Sequence, residues 1–179
     1  ITAAADARIT VILAPAGYGK STALLQHLAS RSDPSILFAA RPDDKTLIGF
    51  ARGLIESSAI LSRAALSSLN EAYASAMRSG DPGHVLAEWM ALFVRELPSN
   101  SLIAVDDGQF AYDDPHTTRF VAALVDGTKD AVSWLIAIRS AHDLPVGEWL
   151  AHGEMELPVD HVDLAFTAEE IHDLVAATG

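Results

Sequence analysis

The sequence of 179 residues contains no cysteine. That excludes a disulfide framework, a zinc site built on thiolates and a cysteine nucleophile. Basic residues are scarce as well: 12 Lys and Arg stand against 24 Asp and Glu, a formal charge of −12. An acidic surface repels phosphate backbones, so direct nucleic-acid binding by this segment is not expected. Long apolar runs are missing too. None approaches the roughly 18 residues that cross a bilayer. The apolar stretch at 9–15 has no basic leader and no cleavage pattern after it, so it is not a signal peptide. No membrane contact is expected, and the cytoplasm is the expected compartment. What remains is a chain with 50% hydrophobic and 20% charged residues, rich enough in apolar side chains to fold without cross-links. It opens on Ile1 rather than Met. The expectation is one domain over 1–179, a piece of a longer multidomain protein.

Short apolar runs alternate with helical spacing from end to end. Strands are predicted over 9–13, 36–40, 101–105 and 132–138, with a fifth at 155–157 or 162–165. Helices are predicted over 20–31, 46–61, 64–77, 84–97 and 115–125. A last one over 167–176 opens on the capping-box pair Thr167 and Glu170. Gly and Pro at 79–83 mark a break. The stripe Val85, Leu86, Trp89, Met90, Phe93, Val94 and Leu97 predicts a helix packed against a sheet. This order argues for an α/β domain with a mainly parallel sheet and helices on both faces.

The most informative segment is Ala14-Pro15-Ala16-Gly17-Tyr18-Gly19-Lys20-Ser21-Thr22. It fits the phosphate-binding loop G-x-x-x-x-G-K-[ST], the Walker A motif, with Ala14 in place of the first glycine. A strand must turn sharply into a helix so that successive backbone N–H groups point at a phosphate. Gly17 and Gly19 permit that backbone. Lys20 brings charge to the β- and γ-phosphates, Ser21 a hydroxyl for Mg²⁺, and Thr22 a hydroxyl near the α-phosphate. The residues 16–22 are thus the candidate nucleotide site.

The apolar run 101–105 ends in Asp106-Asp107, the pattern of a Walker B strand. Asp106 is the candidate for holding Mg²⁺ through water, and Asp107 for orienting or deprotonating an attacking water. The competing reading is a solvated turn after a strand, since Asp and Gly favour turns. Arg139 closes the run 132–138 and would face a ligand crevice, where it can sense a γ-phosphate; the alternative is a surface arginine capping a strand. The seven histidines show no metal-binding spacing, and there is no G-x-S-x-G elbow and no G-x-G-x-x-G. Thr128-Lys129-Asp130 does not supply the guanine signature Asn-Lys-x-Asp, so ATP is favoured over GTP. A small-molecule kinase needs an arginine-rich lid, and no such cluster is present.

The loop 14–22 resembles the A-P-A-G-[FY]-G-K-[ST]-T loop of STAND-class signal-transduction ATPases, in particular the MalT-like or large LuxR-type transcription regulators. Asp43-Asp44 with Phe50, the strand ending in Asp106-Asp107, and Ile136-Ala137-Ile138-Arg139-Ser140 resemble further family segments in order and spacing. Asp163-Leu164-Ala165-Phe166-Thr167-Ala168-Glu169-Glu170 resembles the D-L-x-F-[ST]-x-E-E segment that closes the family's core. Two departures stand out. Gln109 follows the paired acid where the family usually has a His, and Arg139-Ser140 reverses the family's Ser-Arg. The resemblance implies a three-layer P-loop NTPase core of five strands in the order 5-1-4-3-2. It implies a switch: ATP favours a self-associating form and slow hydrolysis resets it. Effector and DNA sites would belong to other domains. The alternative is a nucleotide-binding scaffold without significant hydrolysis.

Overall fold

Alternation within the strands decides the layering. A computed structural model of the chain describes residues 7–58, 61, 63–140 and 144–165. Strands β1 (Ile9–Leu13), β2 (Ser35–Ala39), β3 (Leu102–Asp106) and β4 (Ser133–Ile138) form one sheet in the order β1-β4-β3-β2, with every pairing parallel. Successive side chains point to opposite faces. Ile9, Val11, Ile103, Val105, Trp134 and Ile136 therefore bury on one face, while Ile12, Leu102, Ala104, Leu135 and Ala137 bury on the other. Strands covered on both sides read as continuous apolar runs, which is why they were legible as strands.

Helix α1 (Lys20–Ser30) covers the second face through Leu24. Helices α2 (Leu47–Glu56), α3 (Arg63–Ala76), α4 (Pro82–Val94) and α5 (Pro115–Thr128) build the larger core on the first face. The expected α/β architecture with a parallel sheet and helices on both faces is therefore present. The stripe on α4 is a packing stripe, but its main neighbour is α5 rather than the sheet. The two helices approach so closely that a Cβ on Gly83 would lie 2.3 Å from the carbonyl oxygen of His116.

Several boundaries differ from the sequence expectation, each for a local reason. Helix α2 stops at Glu56 instead of running to 61. Ser57 Oγ donates to the carbonyl of Gly53, and Ser58 Oγ accepts from the N–H of Leu61, so the serines take backbone partners that a helix would need. Helix α4 starts at Pro82 rather than after the break at 79–83. Proline suits the first helical turn, and Asp81 caps it by accepting from the N–H of His84 at 3.1 Å. A six-residue helix, α6 (Val146–Ala151), was not anticipated.

The expected fifth strand is a correction: among the described residues the sheet has four strands. Neither 155–157 nor 162–165 forms a strand. Among the described residues, two isolated parallel bridges lie along β1 on the side away from β4, Ile9 with Met155 and Ile12 with Val159. Three steps along β1 are thus matched by four along the incoming segment, so one extra residue breaks the register. Pro158, which has no N–H, sits inside that slip. The segment is anchored from behind, where Lys129 at the end of α5 pairs with Glu154 and Trp149 Nε1 donates to Asp126 at 2.8 Å. The helix expected over 167–176 lies outside the described residues.

Candidate functional site

The carboxyl end of β1 is where the two layers part. From β1 the chain passes to α1 on one face, whereas from β3 it passes to α5 on the other. Diverging connections leave a crevice beyond the strand ends, the usual place for a ligand in an open parallel sheet. The loop 14–22 lies at that point. Ala14 is buried and its N–H still donates to the carbonyl of Ile138, so it ends the sheet rather than the loop. It has no positive φ, and the missing first glycine costs the backbone nothing here.

Gly17 and Gly19 have φ of 87° and 77°. A Cβ at either would meet no atom within 4 Å. It is therefore the left-handed backbone, not lack of space, that calls for glycine at both. Gly19 is the N-cap of α1 and brings no side chain to its first N–H groups. The loop residues 15–19 are exposed, and the first N–H groups of α1 stand at the positive end of the helix dipole. Ser21 and Thr22 are exposed on the first turn of α1.

Lys20 alone in this segment turns inward. It is buried, and its Nζ donates to the carbonyls of Ala14 at 2.7 Å and Pro15 at 2.8 Å. An ammonium has three protons, so one remains for a ligand. Burial pushes the Lys20 pKa down from its ordinary value, and Arg139 pushes it the same way; Asp107 and Asp106 oppose them. Lys20, Asp106, Asp107 and Arg139, chosen from separate stretches of sequence, thus share one electrostatic neighbourhood.

The paired acid is held in an unusual conformation. Asp107 has φ 52° and ψ 36°, the left-handed region, and its N–H donates to Asp106 Oδ1 at 2.9 Å. The chain then enters a 3-10 turn, Gly108–Asp113, that folds across the end of β4. A Cβ on Gly108 would lie 3.1 Å from Cγ2 of Ile138, so only glycine fits without displacement. This sharp turn brings Asp107 Oδ1 to 3.7 Å from Arg139 Nη2, with both side chains about half exposed. A pair this open contributes little to stability. Its value lies in placing a cation beside the crevice. Gln109 Nε2 donates to the same Oδ1 at 2.7 Å. Sequence reading gave Gln109 no part in the site; its position two residues after Asp107 was the available signal.

On the far side of the loop, the segment bridged to β1 brings His161 against Tyr18. The two rings meet edge to face, with centroids 5.8 Å apart. Pro15, Arg139, Ser140, Asp160 and His161 line an open cleft around the end of β1. His161 shows no metal-binding spacing in the sequence, and nothing local in the sequence connects it to residue 18.

Among the described residues no cluster of three or more His, Cys, Asp or Glu is placed to hold a metal by protein groups alone. The oxygens that the motifs nominate are one hydroxyl, Ser21 on the first turn of α1, and one carboxylate, Asp106 at the end of β3. That set fits Mg²⁺, which usually takes one or two protein oxygens and completes its shell with phosphate and water. No family model matches the chain, and no curated protein matches its sequence.

Proposed function

We propose that this chain binds ATP with Mg²⁺ at the loop 14–22 and hydrolyses it slowly. In this reading it is the switch domain of a signal-responsive transcription regulator of the STAND, MalT-like kind. The observation that carries the nucleotide reading is the loop itself. Two left-handed glycines, an uncapped helix start and an inward lysine with one proton to spare converge at the crevice.

In the proposed reaction, backbone N–H groups of 16–22 and the Lys20 ammonium bind the phosphates. Ser21 and Asp106 would hold Mg²⁺, which would supply positive charge against the phosphates. Asp107 accepts a proton from water as the water oxygen bonds to the γ-phosphorus. The bond to the β–γ bridging oxygen breaks and ADP departs with that electron pair. Arg139 stabilises the charge on the transferred group. One observation favours the alternative of a scaffold without significant hydrolysis: Asp107 Oδ1 is already engaged by Gln109 and lies near Arg139. Nucleotide would then act only by stabilising one conformation.

Phosphate release from Mg-ATP separates the two readings. Hydrolysis predicts that Asp107→Asn lowers turnover to background while ATP still binds. Equal turnover in wild type and variant contradicts it and leaves the scaffold. Self-association in the ATP state, DNA contact through other domains and a cytoplasmic location belong to the same proposal. No helix among the described residues is long and apolar enough to cross a membrane.

A further inference from the structure

We propose that the side chains of Tyr18 and His161 form the seat for the base of the nucleotide whose phosphates the loop holds. The inference rests on the phosphate-site reading above and adds a subsite to it.

The argument begins with direction. β1 lies between β4 on one side and the bridged segment 155–159 on the other. Lys20 marks the loop itself, and the other groups proposed to act at the terminal phosphate stand on the β4 side: Arg139 follows β4, and Asp106 and Asp107 stand at the end of β3. A triphosphate lying along the loop with its terminal group near these residues sends its other end away from them. That end carries the nucleoside; the proposal seats it at the far wall of the cleft that Arg139 and His161 both line, where Tyr18 meets His161.

The chemistry of the pair suits a base. Tyr18 is 47% exposed at the tip of a glycine loop, so its ring is not spent on the hydrophobic core. His161 is exposed as well. Their edge-to-face contact, with an interplanar angle of 86°, braces the rings while both residues stay exposed. Flat π surface beside a phosphate-binding loop is what a stacked nucleobase requires. The two rings also come from separate elements, one fixed by α1 and the other by the bridge of Val159 to Ile12. A base resting on them would hold the loop and the incoming segment together.

The test measures binding of Mg-ATP and of Mg-tripolyphosphate, which has the phosphates and no base. Both are titrated into the whole chain as wild type, Tyr18→Ala, Tyr18→Phe, His161→Ala and Lys20→Ala. The proposal predicts that Tyr18→Ala weakens ATP about tenfold, a typical stacking loss, while tripolyphosphate binding stays unchanged. Tyr18→Phe, which keeps the ring, retains wild-type affinity, and His161→Ala weakens ATP alone. Equal weakening of both ligands by Tyr18→Ala would overturn the proposal, since the pair is then only a strut for the loop. Unchanged ATP affinity in Tyr18→Ala would overturn it as well. Tripolyphosphate that binds wild type and Lys20→Ala alike would overturn the phosphate site itself and the base seat with it.

Discussion

The two faces of the sheet are built from the same strands and serve different ends. On one, four helices bury Phe50, Leu86, Met90 and Phe120 together with Trp134. On the other, α1 contributes Leu24 to a much smaller cluster. The helix that covers the sparse face is the one whose start carries the glycine loop. The lesson is a division of labour: packing is concentrated under α4 and α5, and the proposed ligand site lies where little packing depends on it. Side chains at the loop tip can then be set by the ligand rather than by the core.

The division is broken most severely from the dense face. Phe120 is fully buried on α5. Phe120→Ala is expected to cost about 3–5 kcal/mol by urea unfolding, with the nucleotide affinity of the folded fraction unchanged. Leu24→Ala on the sparse face should cost about 2–4 kcal/mol. It should also weaken Mg-ATP binding, because α1 positions the loop; unaltered affinity would blur the division. Gly83→Ala forces α4 and α5 apart and should cost about 1–3 kcal/mol, again with no change in ligand affinity.

The smallest effect concerns the cap of α4. Asp81 accepts from the N–H of His84 and pairs with Arg119 at 3.0 Å. Asp81→Ala should cost about 1 kcal/mol. The Asp81 pKa is held below its ordinary value, first by the His84 N–H and further by Arg119. Its stabilisation is therefore present above the usual carboxylate range and is lost as pH falls through the lowered value. The variant should show a flatter acid limb in stability against pH, and identical limbs would remove Asp81 from the account.

Sequence legibility followed how local the cause was. The strands were readable because burial on both faces makes their apolar runs continuous, and the loop was readable because each glycine answers a local backbone demand. Helix α6 was missed because Val146 and Trp149 are its only buried residues and no period forms over six positions. The absent fifth strand depends on a register slip beside β1, which no single residue announces, although Pro158 hinted at it. In the site, Lys20 and the paired acid were legible from motif spacing. The arrangement that bends Asp107 toward Arg139 was not, since it needs Gly108 packed on Ile138 of another strand. The meeting of Tyr18 with His161 likewise depends on how the last described segment lies along β1.

The central claim is that the loop 14–22 is a working phosphate site. Calorimetric titration of Mg-ATP into wild type and Lys20→Ala, with both confirmed as folded by circular dichroism, tests it most directly. The account predicts binding to wild type and a loss of about a hundredfold or more in the variant, as expected for removal of a buried charge partner. Equal affinity in the two proteins, or no binding to either, would contradict it.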